Sequence, residues 1–420
     1  MEAATAADDI DEVLEGEGQD EDEDGADWFQ VSKHGFEVSE DDDDDITLQG
    51  PAYSGHTGQR APQHTADRAY FGEETWGVSA RQRSAEIQPA QLARYQLPVL
   101  RSEVDLATWL GIPLSRLRWY THDRPAERTW HYVRYAVPKR SGQGERVILA
   151  PRRELKALQR KVLKGIVAKV PVAATTHGFV AGRSTLSNAS EHAGKGVVLK
   201  LDLKDFFPSV TFRRVRGLFT ALGYSYAVAS VLALLCTEYD RQPFERSGEQ
   251  YYISVGPRHL VQGAPTSPGL ANLVAWRLDR RLAGLASKRG FVYTRYADDL
   301  TFSGEDAEAA ARLGAAAARI IADEQFTVNA GKTRLLRRGG RQTVTGLVVN
   351  ASPATPRELR RRLRAILHNA ARDGLDAQNR EDRGHYAAYL GGLIAYVGSA
   401  NPSHGDVLRR QFRRLVTPRE

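Results

Sequence analysis

The chain has 420 residues, 41% of them hydrophobic, with 58 Lys and Arg against 52 Asp and Glu. That is enough apolar material for two or three compact units around a substantial core. The single cysteine, Cys236, excludes an internal disulfide and a cysteine-built zinc site, and fits a reducing compartment. The net charge of +6 conceals an asymmetry: residues 1–50 hold 20 Asp and Glu against one Lys, so the other 370 residues carry +25. A basic body of this kind is the electrostatic footprint of a protein that neutralises phosphates along a nucleic acid.

Residues 1–91 contain acidic runs at 20–24 and 41–45, scattered Gly and Pro, and no sustained periodicity. Such composition predicts a largely disordered extension, open to three readings: a solubilising tail, an internal mimic of nucleic acid, or a docking arm for a partner. The acidic start is the opposite of a secretory leader. The apolar run at 227–236 is too short to cross a bilayer, so a cytoplasmic protein with no membrane segment is expected. Cys236, which ends that run, reads as a buried small hydrophobe.

Helical patterning begins near Leu92, and Leu106, Trp109 and Leu110 share a face. Alternation over 130–137, a glycine-containing turn at 141–144 and a second strand at 146–149 predict a hairpin. Pro151 and Pro171 bracket a helix over 153–170. An apolar strand at 196–203 carries Asp202 near its end, followed by helices at 212–222 and 268–286. A hairpin at 291–303 has its turn at 297–299. Then come an alanine-rich helix at 306–324, paired strands at 326–329 and 344–350, and a basic helical tail from Pro356. Strands and helices alternate in a mixed α+β pattern.

Asp202 and the pair Asp298-Asp299 lie at two strand ends about a hundred residues apart. If those strands are sheet neighbours, their carboxylates converge. Clustered carboxylates repel unless cations sit between them, and Mg²⁺ takes oxygen ligands. Two such ions about 4 Å apart activate an attacking hydroxyl and stabilise a pyrophosphate leaving group. Taken alone, Asp298-Asp299 reads better as an ordinary polar turn.

Its company decides otherwise. From about Tyr132 to Pro402 the sequence resembles the reverse transcriptase family in five ordered motifs. Leu201-Asp202-Leu203-Lys204-Asp205-Phe206-Phe207-Pro208 is similar to the first catalytic motif and Tyr296-Ala297-Asp298-Asp299 to the second. Gln262-Gly263-Ala264-Pro265-Thr266-Ser267-Pro268 is similar to the nucleotide loop. Asn329-Ala330-Gly331-Lys332-Thr333 resembles the lysine-bearing motif, and Gly346-Leu347-Val348-Val349-Asn350 the primer grip. The resemblance implies a right-hand polymerase, with fingers over 92–195, a palm of antiparallel sheet plus helices over 196–350, and a helical thumb over 351–420. It implies catalysis by Asp202, Asp298 and Asp299, which with Leu203 would hold two Mg²⁺ ions, Mn²⁺ being a substitute. Lys139, Arg146, Phe207, Gln262, Gly263 and Lys332 are the implied dNTP-binding residues. Phe207 would exclude a ribose 2′-OH sterically, and Lys332 would protonate or neutralise leaving pyrophosphate. Asp205 reads as a structural or triphosphate-proximal acid.

Within the family, Asn188-Ala189-Ser190-Glu191-His192 and Val344-Thr345-Gly346 are similar to two signatures of retron reverse transcriptases. From the residues alone, a helix-capping Asn188 and a surface His192 remain open. The retron resemblance implies priming from an RNA 2′-hydroxyl, branched RNA–DNA product and a role in antiphage defence. Implied partners are a structured non-coding RNA, a toxin-like effector and a host RNase H, since about 65 residues after the grip are too few for such a domain. RNA recognition is assigned to Asn188, His192, Val344, Thr345, Gly346 and the tail arginines Arg357, Arg360, Arg361 and Arg364. Two alternatives are an intron-like or abortive-infection reverse transcriptase, and a catalytically idle RNA-binding scaffold.

Overall fold

The computed structural model describes residues 86–122, 126–127, 129–138 and 145–416. The acidic extension up to residue 85, the turn at 141–144 and Lys139 lie outside them. Three short helices open the described chain: α1 (Pro89–Arg94), α2 (Glu103–Leu110) and α3 (Leu114–Thr121). Ser102 starts α2 by accepting from the Asp105 N–H, which satisfies a donor the helix itself cannot. The short strand β1 (Ala126–Glu127) precedes the expected hairpin of β2 (Tyr132–Pro138) and β3 (Glu145–Pro151). Helix α4 (Arg153–Gly165) then buries Leu155, Leu158, Val162 and Leu163, and a 3-10 turn at Val167–Lys169 ends the segment.

Helix α5 (Thr185–Ser190) opens with Ser184 and Ser187 in a reciprocal capping box, so Asn188 is not its cap. Strand β4 (Val197–Lys204) is followed by α6 (Phe206–Ser209), α7 (Phe212–Ala221) and α8 (Tyr226–Cys236). Cys236 is fully buried, and burial pushes its thiol up to about 12. The sequence reading missed the next hairpin, β5 (Glu238–Arg246) with β6 (Glu249–His259), turned at Ser247 and Gly248. Its strands are mostly polar and exposed, so the alternation that marks a half-buried strand is weak there.

The helix expected at 268–286 is two, α9 (Ser267–Val274) and α10 (Trp276–Lys288). The hairpin β7 (Val292–Tyr296) and β8 (Asp299–Gly304) follows, then α11 (Ala307–Asp323), capped by Asp306. Strands β9 (Thr327–Val328) and β10 (Arg334–Arg337) both pair with β4. The expected pairing of 326–329 with 344–350 does not form. Instead β11 (Thr343–Val344) pairs with β12 (Leu347–Val348). Thr345 and Gly346 both have positive φ, 45° and 74°, the signature of a tight two-residue hairpin turn. The chain ends in α12 (Arg357–Asp373), α13 (Tyr386–Ala400) and α14 (Pro402–Val416).

The central sheet runs β10-β4-β8-β7 and is antiparallel throughout, with β9 also on β4. Side chains alternate across a strand, so register assigns the two faces. Leu199, Leu201, Leu300, Phe302 and Tyr293 lie on one face and are buried, with α11 close enough that Gly314 sits against Leu199. Lys200, Asp202, Asp299, Thr301, Ser303, Thr294 and Tyr296 share the other. A large core spans Leu92 to Phe326, whereas Leu363, Leu367, Leu390, Ile394, Val397 and Leu408 form a small separate core in the C-terminal helices.

Candidate active site

Asp202 stands opposite Asp299 in the β4–β8 ladder, and Asp298 occupies the turn between Tyr296 and Asp299. The two strand ends proposed from sequence are therefore adjacent. The Leu203 N–H donates to the Asp298 carbonyl at 3.0 Å, and the Asn329 N–H donates to the Asp202 carbonyl at 2.8 Å. These bonds tie the two catalytic motifs and the lysine-bearing segment together through main chain.

Two ammonium groups reach the acids. Lys332 Nζ lies 3.8 Å from Asp202 Oδ1, and Lys200 Nζ lies 3.7 Å from Asp299 Oδ2. Among the described residues no three His, Cys, Asp or Glu side chains are already gathered as a metal cluster. The donor set still fits a hard divalent cation: the carboxylates are oxygen ligands, and the two ammoniums mark where positive charge is accepted. Leu203 is 2% exposed with an apolar side chain, so its main-chain oxygen is what it can contribute.

Phe207 is half-buried and packs beside Phe179, Tyr296 and Ala297, with its ring centroid 6.2 Å from that of Phe179. It thus stands next to the acidic turn, where a ring could meet a sugar. Asp205 is exposed and in the left-handed region at φ 48°. The Gln262 carbonyl accepts from the Leu149 N–H at 2.8 Å, which fastens the nucleotide loop to β3. Gly263 has φ 111°, and a Cβ there would lie 2.8 Å from the Leu149 carbonyl, so the close approach requires glycine. Arg146 is on β3 opposite Val137.

The two retron signatures meet. The Thr345 hydroxyl donates to the Thr185 carbonyl at 3.0 Å, and Ala189, Val198, Val344, Leu347 and Val349 form one apolar cluster. Asn188 is 1% exposed, and His192 and Val344 are 0%, so these three side chains face the interior rather than solvent. His192 is interior rather than on the surface, because its ring nitrogens pair with Ser303 Oγ and Thr294 Oγ1, each at 2.7 Å. One nitrogen donates to a hydroxyl and the other accepts from one. Burial lowers this imidazole to about 3. Gly346 supplies the turn. Arg357, Arg361 and Arg364 are exposed and Arg360 is half-buried; the first three recur at helical spacing on one face of α12, away from buried Leu363 and Leu367.

Residues that the sequence reading passed over line the back of the acidic turn. Phe179, at φ 58°, packs against Tyr296 and Ala297. Gly178 approaches so closely that a Cβ would lie 2.5 Å from the Ala297 nitrogen. Arg295 and Asp279 form a fully buried ion pair at 2.7 Å. The available signal was a charged residue, Arg295, inside an apolar strand, since such a charge folds only when paired.

Residues 137–368 match the model of the reverse transcriptase (RNA-dependent DNA polymerase) family. The chain is also 56% identical over 322 residues to the retron Mx65 reverse transcriptase of Myxococcus xanthus, covering 77% of this chain and 74% of that one. It belongs to the reverse transcriptases, in their retron branch. The retron Mx162 reverse transcriptase of the same organism is 43% identical over 337 residues (76% of this chain, 68% of that one). The retron Ec86 reverse transcriptase of Escherichia coli is 36% identical over 292 (68% and 84%). A solved telomerase from Candida albicans superposes with TM-score 0.40 and 12% identity over 66% of this chain and 56% of that one, too loosely to carry weight. The enzyme is an RNA-directed DNA polymerase with the right-hand fold, and its family works with divalent metal ions. No helix among the described residues is long and apolar enough to cross a membrane.

Proposed function

We propose that this retron reverse transcriptase binds one structured non-coding RNA, starts DNA synthesis from an RNA 2′-hydroxyl and leaves a branched RNA–DNA product, as the polymerase of a cytoplasmic antiphage system. The observation that carries the catalytic part is Asp202 facing Asp299 across β4 and β8, with Asp298 in the adjoining turn. The retron part is supported by the meeting of both signatures at the Thr345–Thr185 hydrogen bond, together with the identity to retron enzymes. A toxin-like effector and a host RNase H complete the expected partners.

Two Mg²⁺ ions, for which Mn²⁺ can substitute, would be held by Asp202, Asp298, Asp299 and the Leu203 carbonyl, and would supply Lewis acidity to the attacking hydroxyl and the departing pyrophosphate. The protein's own groups do the rest. Phe207 shapes the sugar pocket, so that an added 2′-oxygen collides with its ring. Gln262 and Gly263 give a main-chain surface that the incoming dNTP can approach, while Lys139 and Arg146 neutralise its triphosphate. Lys332 stands beside Asp202, where its ammonium can offset or protonate the leaving pyrophosphate. Arg357, Arg360, Arg361 and Arg364 on α12 follow RNA phosphates, since the deep groove of an A-form duplex hides its base edges. Thr345 and Gly346 shape the turn that abuts α5.

Two experiments test this. The protein purified from cells carrying its flanking locus should bring branched RNA–DNA; bound RNA without DNA would sink the retron reading. Replacing Asp298 and Asp299 by Ala should lower DNA synthesis by on the order of 10³-fold or more, and retained synthesis would overturn the catalytic assignment.

A further inference from the structure

Arg295 immediately precedes the acidic motif, and its side chain is wholly inside the protein. A guanidinium has five N–H donors in a rigid fork, and here each has an acceptor. Nε donates to Asp279 Oδ1 at 2.8 Å and Nη2 to Asp279 Oδ2 at 2.7 Å. Nη2 also reaches Thr176 Oγ1 at 3.5 Å. Nη1 donates to Asn272 Oδ1 at 3.0 Å and to the Ala297 carbonyl at 2.9 Å. The Asp279 carboxylate is equally full, accepting from the Tyr293 hydroxyl at 2.8 Å and the Thr176 hydroxyl at 2.9 Å.

The Ala297 carbonyl is the telling partner. Ala297 is the first residue of the two-residue catalytic turn and sits at φ 55°, a conformation that opposes any side chain and favours glycine. Such a residue persists where its surroundings over-determine it. The surroundings here converge from four places. Arg295 grips the carbonyl, Gly178 closes on the nitrogen, and Asn272 Nδ2 in α9 fixes Gly178 through its carbonyl at 2.8 Å. The main chain of Arg295 is itself held by His177 N–H to Arg295 O at 2.7 Å and Arg295 N–H to Thr175 O at 2.9 Å. The guanidinium carbon also lies 5.5 Å from the ring centre of Phe206, which adjoins the sugar-facing Phe207.

We propose that Arg295 is a positioning residue: its fork, anchored on Asp279 and Asn272, holds the Ala297 carbonyl and thereby keeps the strained turn in the shape that presents Asp298 and Asp299. It touches neither substrate nor metal. This inference rests on the reading of those two acids as catalytic.

Arg295→Lys separates the ion pair from the grip, because a single ammonium can face Asp279 but cannot span Asp279 and Ala297 together. The variant should fold with the wild-type circular dichroism, keep the dNTP KM within about twofold, and lose about 10- to 100-fold in kcat, the scale of a misplaced reacting group. It should also need more Mg²⁺ for half-maximal rate. Adding Ala297→Gly, which relieves the left-handed strain, should return most of the lost kcat in Arg295→Lys. A rate and Mg²⁺ requirement within twofold of wild type for Arg295→Lys, or no rescue by Ala297→Gly in a folded double variant, would overturn the proposal. If Lys prevents folding, Arg295→Gln with Asp279→Asn leaves no lone buried charge, and the same rescue is read on it. Asp298→Ala with Asp299→Ala runs alongside. Activity in that control overturns the catalytic assignment itself; its loss beside a silent Arg295→Lys overturns the brace alone.

Discussion

The β7–β8 hairpin and the C-terminal helices handle charge in opposite ways. In the hairpin nearly every residue is buried, and the one arginine is locked by five hydrogen bonds. On α12 and α14 the arginines Arg357, Arg361, Arg364, Arg410, Arg413 and Arg414 are exposed over a core of six buried residues. Bond-making requires atoms fixed to fractions of an ångström, so the palm invests in a rigid interior. Following a phosphate backbone requires charge within reach, and long side chains in water supply it without fixed geometry. Tyr396 and Ala400 of α13 pack on the cluster of Ala189, Val198 and Val344.

Phe207→Ala should relax sugar selection by about 100-fold, measured as the dNTP-to-rNTP ratio of kcat/KM, because a steric gate acts as a pocket contact would. An unchanged ratio would remove Phe207 from the nucleotide site. On the thumb side, Arg357→Ala, Arg361→Ala and Arg364→Ala combined should weaken RNA binding about 10- to 50-fold near physiological salt. The slope of log affinity against log salt should fall by about 1 per arginine, with single-nucleotide kcat hardly altered. A loss of kcat without a change in salt slope would contradict the division of labour.

A smaller effect is expected at His192, which pairs with Thr294 and Ser303 of the hairpin. His192 is held neutral, at about 3, against an ordinary 6.5. A histidine lowered in the folded state is protonated first in the unfolded chain, so stability is lost as pH falls below about 6.5 and continues to be lost toward about 3. His131 and His177, each lowered to about 4 by burial, act in the same direction. His192→Gln should flatten part of the fall in melting temperature between pH 6.5 and 4. A variant with the wild-type pH slope would show that His192 does not contribute.

The strands and helices that bury one clear face were legible in the sequence: β4, the β7–β8 hairpin, α4 and α11 sit close to where periodicity placed them. So was the convergence of Asp202 with Asp298-Asp299, since both motifs end strands. The exposed β5–β6 hairpin left little hydrophobic alternation to read. Pairing partners were harder. Thr345-Gly346 turns 343–348 back on itself, and a turn residue with a β-branched side chain at positive φ is not what composition suggests. The brace behind the acidic turn was invisible because Thr176, Asn272, Asp279 and Arg295 are scattered over more than a hundred positions, and only folding makes them neighbours. The retron signatures were found by pattern, which gave no sign that Asn188, His192 and Val344 are interior.

The buried Cys236 has a practical consequence. It is the chain's single cysteine, fully enclosed, and with its thiol held up to about 12 it has almost no thiolate at neutral pH. A maleimide or spin label offered to the native protein should therefore find nothing to attack. One cysteine introduced at Arg410 on α14, and another on the exposed β5–β6 hairpin, would give a clean pair of reporters. The distance between that hairpin and α14 could then be followed as RNA loads, without first rebuilding the interior.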